Sequence, residues 1–133
     1  MYDLVQSDIE GIFAGSSWTS HSIPIYPDNY QGAVTTGAEF CRLSVLPSNS
    51  ENYAHGGSKA LSGIVVVKIL VRAGEGQKRI MAISDILDVI FDNKTLTNGT
   101  ELSTSYLNME GLDPANKSLY SARYLIPFKI YGE

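Results

Sequence analysis

The sequence predicts an α+β domain in which a mostly antiparallel sheet packs against two main helices. Three observations carry that expectation. Residues 61–72, LSGIVVVKILVR, form an almost unbroken β-branched run, the composition of a well-buried strand. After the Gly-rich turn Ala73-Gly74-Glu75-Gly76 the spacing becomes helical at once, with Ile80, Ile83, Leu87, Ile90 and Phe91 at i, i+3, i+7, i+10 and i+11 on one face. The chain then reads as helix, strands, helix, strands, with no internal repeat or linker, so residues 1–133 are expected to fold as one domain.

The first helix is expected over residues 2–14, where Val5, Ile9, Ile12 and Phe13 recur at helical spacing, Asp3 can cap the start and Gly15 can end it. Residues 16–37 are rich in Ser, Pro, Gly and Asn and read as irregular, with a short extended piece at 23–26 that its prolines keep out of a sheet centre. Trp18 in this stretch is expected to plug the edge of the core, an exposed binding role being the competing reading. Residues 40–46 alternate between Phe40, Arg42, Ser44, Leu46 and Cys41, Leu43, Val45, as a half-buried strand ending at Pro47. The polar stretch 48–59, SNSENYAHGGSK, then forms the long tip of a hairpin with the strand at 61–72, either an interaction loop or a tolerated insertion.

In the central helix Ile86 widens the apolar stripe, while Asp85, Asp88 and Asp92 follow i+3 and i+4 steps and form a carboxylate ridge. Thr97-Asn98-Gly99-Thr100 is a two-residue hairpin signal of the type I′ kind, pairing a short strand near 94–96 with one that begins at Glu101. Residues 103–109 look extended and Asp113-Pro114-Ala115-Asn116 makes a turn. The last strand, 119–131, is long and aromatic, with Tyr120, Tyr124, Phe128 and Tyr131; Pro127 interrupts it, which places it at an edge or on a bulge.

Composition narrows the function classes. A hydrophobic share of 44% with 18% charge belongs to a globular domain and argues against overall disorder. The net charge of −4 supplies no general attraction for nucleic acid. No apolar run approaches the roughly 20 residues that a membrane span needs. The N-terminal residues lack a signal-peptide pattern, and the single Cys41 suits a reducing cytoplasm. The glycosylation-like triplets at Asn93, Asn98 and Asn116 read accordingly as turn chemistry.

No catalytic set emerges from the residue pattern. His21 and His55 stand in polar loops without metal-ligand spacing around them, Cys41 sits mid-strand without a neighbouring base, and no Ser occupies a G-x-S-x-G elbow. His55-Gly56-Gly57-Ser58-Lys59 resembles part of a phosphate-binding loop but has the wrong spacing and precedes a strand. The Gly74-Glu75-Gly76 turn lies between a strand and a helix, where backbone N–H groups can hold an anion, yet Glu75 opposes one. A small nucleotide-binding enzyme built on that turn is the weakest reading. No cofactor or metal is expected. Eight tyrosines, several in loops or on the last strand, favour protein–protein contact instead.

The order of these signals resembles a known family. A short N-terminal helix, a loop with Trp18, the piece IPIYPDNYQG, a strand ending LSVLP, a polar Gly-Gly loop, the strand LSGIVVVKILV, a G-x-G turn into a helix ending VIFDN and a finish in YLIPFKIYG are similar to the tail terminator proteins of long-tailed phages, the group that includes the lambda protein gpU. The resemblance implies a non-enzymatic virion protein, assembled in the host cytoplasm, that closes into a ring of about six copies on the tail tube. Such a ring ends tube polymerisation and offers the head-joining surface, with DNA only passing through its lumen. Its implied partners are further copies of itself, the tube protein and a head-completion or connector protein, and no membrane. A different head–tail connector or tail-completion protein is the alternative. A closed ring needs two different complementary faces on each subunit. The candidates are the tip residues Asn52, Tyr53, His55 and Lys59, the ridge residues Asp85 and Asp88, and Tyr120, Tyr124, Phe128 and Tyr131 of the final strand.

Overall fold

The apolar run at 61–72 becomes the middle of a six-stranded sheet, where strands pair with its backbone on both sides. The structure is a computed structural model and describes residues 2–20, 23–27, 39–52, 59–72, 74, 76–96, 99–112 and 119–132. The elements are α1 (Tyr2–Ala14), α2 (Ser16–Thr19), β1 (Ile25–Pro27), β2 (Phe40–Asn52), β3 (Lys59–Arg72), α3 (Gly76–Phe91), β4 (Glu101–Leu102), β5 (Tyr106–Leu112) and β6 (Leu119–Gly132). The strand order is β1-β2-β3-β6-β4, with β5 also on the outer side of β6. Among the described residues only the β1–β2 pair is parallel. The fold is therefore the expected α+β arrangement, two main helices against a mostly antiparallel sheet.

Alternation along the strands divides the sheet into two faces. Cys41, Leu43 and Val45 of β2, Leu61, Val65, Val67, Ile69 and Val71 of β3, and Ala122, Tyr124, Ile126, Phe128 and Ile130 of β6 join the helices in one core. The helical stripe meets them as its spacing requires: Ile80, Ile83, Leu87 and Phe91 are fully buried and Ile90 nearly so. From α1, Val5, Ile9 and Phe13 enter the same core. Trp18 is a core residue, 1% exposed, with its ring edge-on to Phe13 at 5.1 Å, and it stands on the single turn α2 where an irregular segment was expected. The Thr100 hydroxyl donates to Asp8 Oδ2 at 2.7 Å, a buried bond that ties α1 to the β4 hairpin. Asn93, with φ at 52°, ends α3 in the left-handed conformation that Asn tolerates.

Four expectations, the third of them the short strand near 94–96, need correction. First, β2 does not stop at Pro47 but continues to Asn52 through a bulge between Pro47 and Asn49. A bulge in a stretch that no described strand flanks on the outside is where a strand accommodates proline. The hairpin tip is correspondingly shorter than residues 48–59. Second, β6 is not an edge strand: it pairs with β3 from Leu119 to Gly132 on one side and with β4 and β5 on the other. Pro127 fits because its C=O, which accepts from Ser103 N–H at 2.9 Å, faces the gap between β4 and β5. Its missing donor points to the same gap, so no ladder bond is lost. Third, the turn before β4 closes with Gly99 N–H on the Leu96 C=O and Leu96 N–H on the Thr100 C=O, with Gly99 at φ +91°. Gly99 is thus in the left-handed conformation that glycine favours, while Thr97 and Asn98 of the expected two-residue turn lie outside the described residues. Before it, only the isolated bridge Thr95–Glu101 replaces the short strand expected near 94–96. Fourth, the extended stretch expected at 103–109 begins as a strand only at Tyr106 and runs to Leu112. The expected turn at 113–116 lies outside the described residues.

Candidate interaction surfaces

The face of the sheet away from the core carries no described helix. Its residues come from alternate positions of four strands, and the registers align them into rows. One row is Arg42–Lys68–Arg123, in direct register from β2 to β3 to β6, with Asn108 of β5 following. Strands lie about 4.8 Å apart, so three cations fall within roughly 10 Å of one another. The next rows are mostly apolar, Ser44–Val66–Leu125–Tyr106 and then Leu46–Ile64–Pro127. Leu46 and Tyr106 are 52% and 51% exposed, unusual for large apolar side chains on a packed sheet. Arg42, Ser44, Leu46, Val66, Lys68 and Arg123 ring a shallow depression of about 200 Å³.

Local interactions hold this face in shape. Arg123 Nε lies 3.4 Å from Glu110 Oε2, a long and exposed pair. The Arg42 guanidinium stands 5.6 Å from the Phe40 ring centroid, and Phe40, Leu70 and Leu119 pack with Tyr26 into a small second core at the end of the face. Beyond the apolar rows, Lys129 pairs in register with Ser62 and Glu101.

The opposite side of the molecule is the helix layer. Along the outside of α3, Met81, Asp85, Asp88 and Val89 are all exposed, Val89 to 74%, with Lys78 one turn before them. A groove of about 790 Å³ runs beside α3, between it and α1, lined by Gly11, Ile12, Asp85, Ile86, Val89 and Lys94 among others. The ridge expected at Asp85, Asp88 and Asp92 is only partly solvated. Asp88 accepts from the Tyr124 hydroxyl, and Asp92 accepts the Ser105 N–H at 2.9 Å, which together dock the start of β5 under α3. Burial, then the bond to Asp88, pushes the Tyr124 hydroxyl above its ordinary pKa.

The predicted site residues separate into four groups. Tyr53 and His55 lie outside the described residues, as does His21; Asn52 and Lys59 form the last register pair of the β2–β3 hairpin. Asp85 and Asp88 are on the surface as expected. Tyr124 and Phe128, however, are 1% and 3% exposed and belong to the core, because even-numbered positions of β6 face the helices. Tyr120 is half-buried against that core, and Tyr131 is exposed at 44%. The basic row was missed, since its members come from three distant segments and meet only through strand register. The polar breaks Arg42, Lys68 and Arg123 in otherwise apolar strands were its signal.

Among the described residues no group of His, Cys, Asp and Glu is placed to hold a metal ion. Cys41 is wholly buried, and burial, reinforced by Glu39, raises its thiol pKa well above the ordinary value, as for a core residue. No described helix is long and apolar enough to cross a membrane.

No family model and no curated protein matches this chain. Three solved chains match in structure. One of them, which carries no functional name, superposes with a TM-score of 0.70 at 14% identity, over 98% of this chain and 95% of its own. At that identity the likeness establishes a known fold and nothing more.

Proposed function

We propose that this chain is a phage virion assembly protein of the tail-terminator kind. Copies close into a ring on the end of the tail tube, stop its polymerisation and present the surface to which the head is joined. The observation that carries this reading is the pair of dissimilar outer faces, a bare sheet face with cations and exposed Leu46 and Tyr106, and a helix layer with acids and exposed Met81 and Val89. A small domain that leaves one sheet face without a described helix has apolar area to bury against a partner. Two unlike faces suit a head-to-tail assembly that closes by rotation. The order of elements and the α+β architecture agree with the family resemblance of the sequence. The partners in this reading are further copies of the chain, the tube protein and a head-completion protein, with DNA confined to passage through the lumen.

The test is capping. Purified protein is added to purified tail tubes, and negative-stain microscopy scores density at the tube ends and the tube-length distribution as tube subunits are supplied. The proposal expects a disc at one end and arrested growth. Tubes that elongate past bound protein, or protein retained only on heads, would assign it to another head–tail connector or tail-completion role.

A further inference from the structure

We infer that the bare sheet face of one copy docks on the outer side of α3 of the next copy, so that each α3 lies between its own sheet and its neighbour's. The inference rests on the assembly reading above and specifies the two surfaces that such an assembly joins. Three features select this pairing. The sheet face presents Arg42, Lys68 and Arg123 in adjacent registers, with Glu110 beside Arg123 and Glu101 farther along the face. The α3 surface presents Asp85 and Asp88, with Lys78 at one end. On both surfaces the charges flank exposed apolar side chains, Leu46 and Tyr106 on the sheet, Met81 and Val89 on the helix.

Electrostatics also rejects the symmetric alternatives. Sheet face against sheet face would set the cation rows on each other, and helix against helix would oppose the carboxylates, and both like-charge juxtapositions are unfavourable. Only the face-to-back arrangement is complementary. It is heterologous, and it therefore grows past a dimer until it closes. The shapes agree: a helix is convex, and the cation row borders the shallow depression beside Leu46 and Val66. A sheet covered by helices on both faces is a stable layer architecture, here completed in trans.

The test uses two charge-reversed full-length chains, Arg42→Glu with Lys68→Glu on the sheet, and Asp85→Lys with Val89→Lys on the helix. Circular dichroism and melting confirm that each keeps the wild-type fold. Native mass spectrometry and sedimentation velocity then follow association. The wild type is expected to assemble beyond the dimer. Each variant alone should lose association by about a hundredfold or more. Their equimolar mixture should restore assembly beyond the dimer with the two variants alternating, because the reversed sheet meets the reversed helix and the unchanged sheet meets the unchanged helix. Rings that persist in both variants overturn the inference while leaving the assembly reading intact. A wild type that stays monomeric throughout overturns it as well, and tube capping then decides the wider reading separately. Loss of DNA binding, but not of self-association, in the sheet variant would assign the basic row to nucleic acid and overturn it too.

Discussion

At the scale of single residues, Gly63 shows how tightly the central strands are fitted. A Cβ there would stand 2.3 Å from the Leu46 carbonyl oxygen and 2.8 Å from the Phe128 ring. Neither the β2 backbone nor a ring buried in the core can yield cheaply, so Gly63→Ala is expected to destabilise by about 1–3 kcal/mol in urea titrations. A second residue-scale prediction concerns pH. Glu39 receives two hydrogen bonds of 2.5 Å from Arg79. The Arg79 hydrogen bond holds its carboxyl below the ordinary value, against an opposing effect of burial. A lowered carboxylate pKa contributes stability that is complete above the unfolded value near 4.5 and is lost as pH falls through the folded one. The pair is 37% and 24% exposed, which limits the contribution to about 1 kcal/mol or less. Glu39→Gln should therefore lower stability at neutral pH and flatten its decline between about pH 5 and pH 3, as read from denaturation midpoints.

At the scale of elements, α3 buries one continuous apolar stripe and was the most legible part of the sequence. Leu87 is fully buried in the middle of its stripe, so Leu87→Ala should cost about 2–5 kcal/mol, measurable as a shift in the urea midpoint. The strands at 40–46 and 61–72 and the first helix were readable for the same reason: one period in each segment decides which residues go inside. What could not be read is what depends on a neighbour. Pro127 says that one backbone donor is missing, but only the positions of β4 and β5 show that the missing donor faces a gap. The aromatic run of β6 looked like contact surface because Leu125 and Pro127 blur its alternation. Ser121, Arg123 and Lys129 mark the outward face, and with them Tyr124 and Phe128 read as core. The hairpin tip gives a further prediction. Its register holds out to Asn52–Lys59, so deleting residues 54–57, which leaves two residues to close the turn, should leave the melting temperature nearly unchanged while abolishing tube capping. A deletion that still caps tubes would remove the tip from the interface.

At the scale of the whole molecule, the sign of charge is distributed by layer. The chain is net negative, yet a row of cations crosses the bare sheet face while carboxylates stand along α3. The linear sequence signals this only as isolated polar breaks at Arg42, Lys68 and Arg123, because the row exists only after β2, β3 and β6 are in register. On the proposed reading, these two unlike faces are what lets copies of the chain close into a ring. The measurement that tests this most directly is native mass spectrometry of the wild-type chain over a concentration series, with stained electron microscopy of the same samples, alone and with purified tail tubes. The account predicts closed rings of about six copies, free or seated on tube ends. A chain that is monomeric at every concentration and leaves tube ends bare would contradict it.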